Sequence, residues 1–409
     1  MQFKRIVKIA SYSFLVIAPI GVIAGFAKAW NAPESINIAG SSAVQPLMTA
    51  LGNDYKNADV TIQAGGSSEG MKVAATLEKD LGNASKNTYS SVQKATIANN
   101  SYDREVWKNN GIKTVTFAWD GLAVVYKPSN PNSNLIINKT NIYDIYALFS
   151  GIKTYTLSDL LNKNNSNNEQ INEPNIIMTP YARTGGASAS GTATSFLEES
   201  SLTTEDGWEQ WGKKNQLDPT QVKRALSTGR YLGSHVVNTN ESNVESWNRV
   251  SSDNRVGSIV YLSLGFVEKN LSVIQSRGFR IAKMEVEQKE NGSTKKSNIV
   301  DASIENVSNG TYLWSSPLNT MISTVHATQA TKDFLWWILT SEEAKQLIQN
   351  AGYAIVTDEK KVEMVSKKDF PGKTAWKDVD QKTFFDFKNS DVTMYEKNDS
   401  KNNWYGVPK

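Results

Sequence analysis

Residues 35–47 read SINIAGSSAVQPL, and the pattern changes character in the middle of them. Ser35 to Gly40 alternates polar and apolar residues as a strand does, and Gly40-Ser41-Ser42 then opens a segment with helical spacing. Within that segment, Ala43 to Tyr55, the apolar residues Val44, Leu47, Met48 and Leu51 fall on one face. The pattern recurs. Val60 to Ala64 reads as a strand, and Gly65-Gly66-Ser67-Ser68 with Glu69 opens a helix to about Leu77. Farther on, Ser190-Gly191-Thr192 opens a helix through Phe196-Leu197-Glu198. Strand, glycine turn and helix in repeated succession predict an α/β protein with helices on the sheet faces.

Each of these turns places small hydroxyl residues at a helix start. A helix N-terminus leaves unpaired N–H donors and the positive end of a dipole. Glycine lets the main chain come close, and serine or threonine adds a group that both donates and accepts. One such turn is an ordinary N-cap. Three in one chain predict a site that surrounds a small anion.

The remaining chain supplies the frame. Val115 to Tyr126 (VTFAWDGLAVVY) is apolar and β-prone except at Asp120, which predicts a buried strand crossing the molecule. Residues 128–134 are turn-rich, and 163–174 form a polar loop. Ile176 to Met178 is a short strand leading to Arg183, followed by a flexible stretch from Gly185 to Ala189. Gly257 to Phe266 is a further apolar run, and Lys289 to Lys296 reads as an exposed loop or hairpin tip. Phe334 to Ala351 has the spacing of one amphipathic helix. Residues 361–409, rich in lysine, aspartate and aromatics, fit no core element, and no repeat of solenoid period occurs.

Composition narrows the function classes. The 409 residues, 39% hydrophobic and 21% charged, suit an ordinary globular protein of two domains. Net charge is +3, but residues 1–30 hold four cations and no acid, which leaves 31–409 near −1 and excludes nucleic acid as an expected partner. There is no cysteine, which removes disulfides, thiolate metal sites and lipid attachment through an N-terminal cysteine. With two histidines, His235 and His326, no metal site or cofactor is expected. Met1 to Lys8 is basic, Ile9 to Ala27 is an uncharged run of 19 residues, and Ala27-Lys28-Ala29 fits a signal-peptidase site. The run is also long enough to span a bilayer uncleaved. Either way the charge bias places the body of the protein outside the membrane.

An oxyanion held by these turns would meet neutral donors from Ser42, Ser67 and Ser190 to Thr192. Arg183 is the nearby cation, and its planar fork suits two oxygens at once. Asp120 is the unexpected member, because a carboxylate repels an anion unless the anion has a proton to donate. Protonated phosphate has one and sulfate at neutral pH does not, so a buried acceptor discriminates by penalty. Other roles fit the same residues: Asp120 as a helix cap or lysine partner, Arg183 as a surface ion pair. No HExxH and no Walker loop occurs. A phosphoester hydrolase or phosphotransferase with a Ser or Asp nucleophile, and an adhesin that keeps the fold without a ligand, are the rival classes.

The order of segments resembles the phosphate-specific substrate-binding proteins of ABC-type phosphate importers, in the type II periplasmic-binding-protein superfamily. The resemblance runs from about Ile36 to Val356. It rests on IAGSSAVQPL (38–47), AGGSSEGMK (64–72), DLGNASK (80–86), DGLAVVYKP (120–128), SGTATSFLEE (190–199), GSIVYLSLGF (257–266) and GTYLWSSPL (310–318). It implies a two-lobed α/β protein, each lobe a mixed sheet flanked by helices, that closes over one phosphate without chemistry. Residues 1–30 would be a signal peptide or membrane anchor, 33–124 plus 262–360 the first lobe, 125–261 the second, and 361–409 an extension. By motif, Ser42 (hydroxyl) and Ala43 (N–H) match the first anion loop, Ser67 the second, Arg183 the guanidinium, and Ser190, Gly191 and Thr192 the helix-opening loop. Ser85 falls where many members carry an acidic residue and others a serine, so proton sensing would pass to Asp120. The spacing from Arg183 to Ser190 exceeds the family's. The implied partners are inorganic phosphate, ABC permease subunits and, through an uncleaved N-terminal helix, the membrane; a monomer outside the cytoplasm is expected. Sulfate or molybdate is the alternative ligand.

Overall fold

A computed structural model describes residues 34–356 except 42, 87, 89–90, 93–101, 163–172, 241 and 291–293, together with 376–385, 396–398 and 403–405. The expected leader or anchor at 1–30 and the hydroxyl of Ser42 lie outside the described residues. Among the described residues no helix is long and apolar enough to cross a membrane.

The sheet is built from β1 (Glu34–Gly40), β2 (Ala58–Ala64), β3 (Leu81–Ala84) and β4 (Ile112–Tyr126). Later strands are β5 (Ile136–Ile137), β6 (Thr179–Arg183), β7 (Val237–Thr239), β8 (Ser258–Ser263), β9 (Arg280–Ile281), β10 (Lys283–Glu290), β11 (Thr294–Val300), β12 (Ser315–Ser323) and β13 (Ala354–Ile355). The main sheet runs β2-β1-β3-β12-β4-β8-β6-β7, with β9 and β13 also paired to β4, while β11-β10-β5 form a separate three-stranded sheet. β1 is parallel to β2 and β3, as helical crossovers through 45–54 and 67–75 require. β6 is parallel to β7 and β8, whereas β12, β4 and β8 run antiparallel. The result is a two-lobed α/β molecule with a mixed sheet and flanking helices.

β4 is the strand that both halves share. Ile112 to Gly121 pair with β12, and Leu122 to Tyr126 pair with β8. At the exchange Leu122 N donates to Trp314 O at 2.9 Å, and Tyr312 Oη donates to Leu122 O at 2.8 Å. Every residue of β4 is buried except Asp120, which is partly exposed one residue before Gly121. Residues buried on both faces read as a continuous apolar run, and that is what 115–126 shows.

Three local expectations change. The helix read over 334–351 is two, Gln329–Thr340 and Glu342–Asn350. Ser341 separates them in an extended conformation (φ −80°, ψ 141°), its N–H closing the first on Trp337 O and its hydroxyl accepting from Ala344 N at 3.0 Å. The stretch after Gly185 is a helical turn, Gly186–Ala189. In the C-terminal extension Val379, Phe384 and Phe385 are buried, and Phe384 lies with its ring centroid 5.5 Å from that of Trp336. The segment 289–296 belongs to the β10–β11 hairpin, whose turn lies outside the described residues.

Candidate functional site

The helix Ser67–Ala75 lies unusually close to the sheet: a Cβ added at Gly70 would fall 2.1 Å from Asn83 O. Only glycine there lets the helix start reach the ends of β1 and β3. Those ends meet in a cluster of hydroxyls. Ser41 N donates to Asn83 O at 2.9 Å, and Ala43 N donates to Ser41 Oγ at 3.2 Å. Ser41 Oγ and Ser85 Oγ are 2.8 Å apart, Ser85 N donates to Ser67 Oγ at 3.1 Å, and the Ser67 and Ser85 hydroxyls are 3.5 Å apart.

The third turn reaches the same place from the other half of the sheet. Gly191 opens the helix Gly191–Glu198, capped by Ser190, whose hydroxyl accepts from Ala193 N at 3.3 Å. A Cβ on Gly191 would lie 2.7 Å from Ala43 Cβ and 3.3 Å from Ser85 Oγ. Ala43, Ser67, Ser85 and Gly191 are thus brought together, with Ser41 of the first turn, which no motif match singles out, as a further member.

Two cavities flank this junction and share Ser190 and Gly191. The larger, about 470 Å³, is lined among others by Ala43, Asp120, Thr192, Asn243, Ser263 and Lys269. The smaller, about 400 Å³, is lined by Ser41, Ser67, Ser68 and Lys86, with Ser188 opposite. Lys86 Nζ donates to Ser68 Oγ at 3.1 Å. The ionisable side chains of the larger cavity are Asp120, Lys269 and Tyr353. Burial pushes the Asp120 carboxyl up to about 7, against the Ser263 hydroxyl that donates to Asp120 Oδ1 at 2.8 Å. Burial and the charge of Asp120 raise the Tyr353 hydroxyl well above the usual phenol range.

Arg183 lines neither cavity. Its guanidinium, on a residue 1% exposed, donates to Asn240 O at 3.1 Å, Ser246 Oγ at 2.7 Å, Asn243 Oδ1 at 2.7 Å and to Ser242 O. The helical turn Gly186–Ala189 that follows is pinned by Ser188 Oγ donating to Ser227 O at 2.6 Å. It uses up the extra residues between Arg183 and Ser190. Lys86, Asn243, Ser263 and Lys269 had no sequence signal of their own: Ser263 reads as part of a strand and Asn243 as one polar residue among many. Neither histidine lines either cavity, and among the described residues no group of three or more His, Cys, Asp or Glu could hold a metal ion.

A family model described as a PBP superfamily domain matches residues 27–343. A relative in Mycoplasma genitalium, named as an uncharacterized lipoprotein, is 30% identical over 353 residues, covering 82% of this chain and 86% of the relative. The structure of an ABC-type phosphate transport receptor from Vibrio cholerae superposes with a TM-score of 0.50 at 21% identity, over 79% of this chain and 100% of that one. That of a phosphate ABC transporter substrate-binding protein from Clostridium perfringens, described as putative and with bound phosphate, gives 0.49 at 20% identity, over 79% and 100%.

Proposed function

We propose that this chain, which belongs to the PBP superfamily domain family, is an extracytoplasmic receptor that captures inorganic phosphate and delivers it to an ABC-type permease. The observation that carries the reading is the meeting of three glycine–hydroxyl turns, through Ala43, Ser67 and Gly191 around the Ser85 hydroxyl, beside a cavity that holds one carboxyl. Anions would be held there chiefly by neutral dipoles, the backbone N–H groups and hydroxyls of the three turns, with Lys269 at the larger cavity and Lys86 at the smaller.

The ligand contacts would come from the Ser42 hydroxyl, Ala43 N, Ser67, Ser85 and the Ser190–Thr192 loop, with Ser41 added. Asp120 accepts the proton of a phosphate P–OH, a bond that sulfate cannot make. Arg183 supports the wall at 240–246 rather than touching the ligand. We place the lobes at 33–124 plus 262–360 and at 125–261, hinged where β4 changes partner and near Tyr261. The pairing of β9 with Val125 and Tyr126 draws the segment around 280 toward the second lobe. The protein acts as a monomer, released by cleavage or tethered through residues 9–27, with 361–409 as an extension.

Titration calorimetry with phosphate, sulfate and molybdate tests the reading. Phosphate heat with at least tenfold weaker sulfate is expected; no phosphate heat, with strong binding of another oxyanion, overturns it.

A further inference from the structure

Arg183 is turned away from the cleft and still reaches it through hydrogen bonds. Its Nη2 donates to Asn243 Oδ1 at 2.7 Å, and the same oxygen accepts from Ser263 N at 3.1 Å. Ser263 Oγ in turn donates to Asp120 Oδ1 at 2.8 Å. Asn243, Ser263 and Asp120 all line the larger cavity.

The chain of contacts has a mechanical consequence. Ser263 ends β8 opposite Leu122 and precedes the helix Leu264–Lys269, so it stands at a junction. A serine hydroxyl rotates freely, and its donation to one oxygen depends on where its backbone is held. The bond from Ser263 N to Asn243 supplies that hold. The Asn243 amide is itself oriented, because the alternative flip would set its NH2 against two donors. The rigid guanidinium, anchored on Asn240, Ser242 and Ser246, fixes it from behind.

We infer that Asn243 is a positioning residue for the discriminating carboxyl: by accepting from both Arg183 and Ser263 N, it keeps the Ser263 hydroxyl on Asp120 and thereby sets which anions the cleft admits. The last step rests on the phosphate-receptor reading; the positioning step does not. Other ionisable groups facing Asp120 are Tyr353, ahead of β13, and Lys269, on the helix after β8. On β12, Ser316 pairs in register with Asp120 and its hydroxyl meets that of Ser195, while the helix starting at Gly191 places Thr192 in the same cavity. None of these takes part in the Asn243–Ser263 contact.

The test is a pH titration of the Asp120 carboxyl carbon by NMR in the ligand-free full chain, the resonance being identified by its loss in Asp120→Asn. Ser263→Ala removes a donor to the charged form and moves the midpoint up by about one pH unit. Asn243→Ala moves it up as well, and the double variant goes no farther than Ser263→Ala alone. A midpoint unchanged in Asn243→Ala, or a shift that adds in full to that of Ser263→Ala, overturns the inference. Should Asn243→Ala lose its cooperative melt, Asn243→Gln, whose longer side chain displaces the oxygen, is titrated with the same expectation. Calorimetry on the same variants should show the phosphate-to-sulfate affinity ratio falling about tenfold in Asn243→Ala, in step with the midpoint. A wild-type chain that gives no phosphate heat overturns the receptor reading, while the titration still decides the role of Asn243.

Discussion

Gly191 is seated directly on Ala43: a Cβ at position 191 would stand 2.7 Å from the Ala43 Cβ and 3.3 Å from the Ser85 hydroxyl. Gly191 opens one helix and Ala43 lies in the turn just ahead of another, on opposite sides of the β4 exchange, so this contact measures how closely the anion loops approach. Gly191→Ala adds one methyl at the first position of a helix, where alanine is favoured by as much as about 1 kcal/mol. That gain is opposed by the 2.7 Å clash with the Ala43 Cβ, which the ligand-free chain relieves only by parting the loops, so its melting temperature should hold or fall. Phosphate affinity should fall by roughly tenfold or more, about 1.4 kcal/mol, because the loops can no longer meet. Wild-type affinity in this variant would mean that the loops do not touch in the bound state.

Asp120 should give stability a pH dependence of definite sign. Its carboxyl moves from an ordinary 3.8 to about 7 on folding, mainly through burial. The folded chain therefore binds more protons than the unfolded one between those values, and stability from this group declines as pH rises through that window. Asp120→Asn should match the wild type near pH 4 and exceed it by roughly 2–4 kcal/mol at pH 8, measured by urea denaturation without ligand. A constant offset between the two curves would assign the carboxyl an ordinary value.

The same carboxyl predicts that anion selectivity is lost in acid. Below about 7 the protonated form becomes a donor, and a donor suits sulfate as well as phosphate. The ratio of phosphate to sulfate affinity should fall between pH 8 and pH 5.5, followed by calorimetry. Asp120→Asn, whose amide can donate or accept, should show a low ratio at every pH. A wild-type ratio that is flat over this range would give discrimination to another group.

The turns at 40–43, 65–68 and 190–192 were legible because their chemistry is local: glycine, hydroxyl and helix start occupy consecutive positions. β4 was legible because a strand buried on both faces can carry almost no polar residue, and Asp120 stood out for breaking that rule. What was not legible depended on distant chain. The acceptors of Arg183 on Asn240, Ser242, Asn243 and Ser246 lie far along the chain, and nothing near residue 183 announces them. Ser263 gains its role from lying across from Leu122 in the β4–β8 ladder, which is a matter of topology. Ser341 looks like one more polar residue on a helix surface, and only its extended backbone divides the helix.

Arg183 should prove a pillar of the fold. Arg183→Met leaves the carbonyls of Asn240 and Ser242 without that donor, on a residue only 1% exposed. Of the four acceptors only the Ser246 hydroxyl is on a buried residue, Asn240 and Ser242 being exposed. The cost is therefore that of one buried acceptor stripped of a charged donor, a loss of about 1–3 kcal/mol in urea denaturation. Arg183→Lys should recover part of it, since an ammonium supplies the charge but not the planar fork. An Arg183→Met protein of wild-type stability that fails to bind phosphate would return the guanidinium to the ligand.

The C-terminal extension should matter for stability and leave the cleft untouched. Phe384 is fully buried, with ring centroids 5.5 Å from Trp336 and 5.9 Å from Trp376, and Gln381 Nε2 donates to Asp333 Oδ1 at 2.6 Å. Trp336 and Asp333 lie on the helix Gln329–Thr340, whose opposite contacts include the buried Phe334 and Leu335. Removing a buried phenylalanine costs about 3–5 kcal/mol when its surroundings stay in place. The loss cannot exceed the docking free energy of the segment, because undocking is an alternative to holding a cavity. Phe384→Ala should therefore lower stability by a few kcal/mol at most. A variant lacking residues 376–385 should lose at least as much. Neither Trp336, Trp376 nor Phe384 lines the two cavities, so phosphate affinity by calorimetry should remain that of the wild type in both. A drop in affinity would tie the extension to the first lobe's share of the anion loops, and unchanged stability would make its aromatic contact an incidental one.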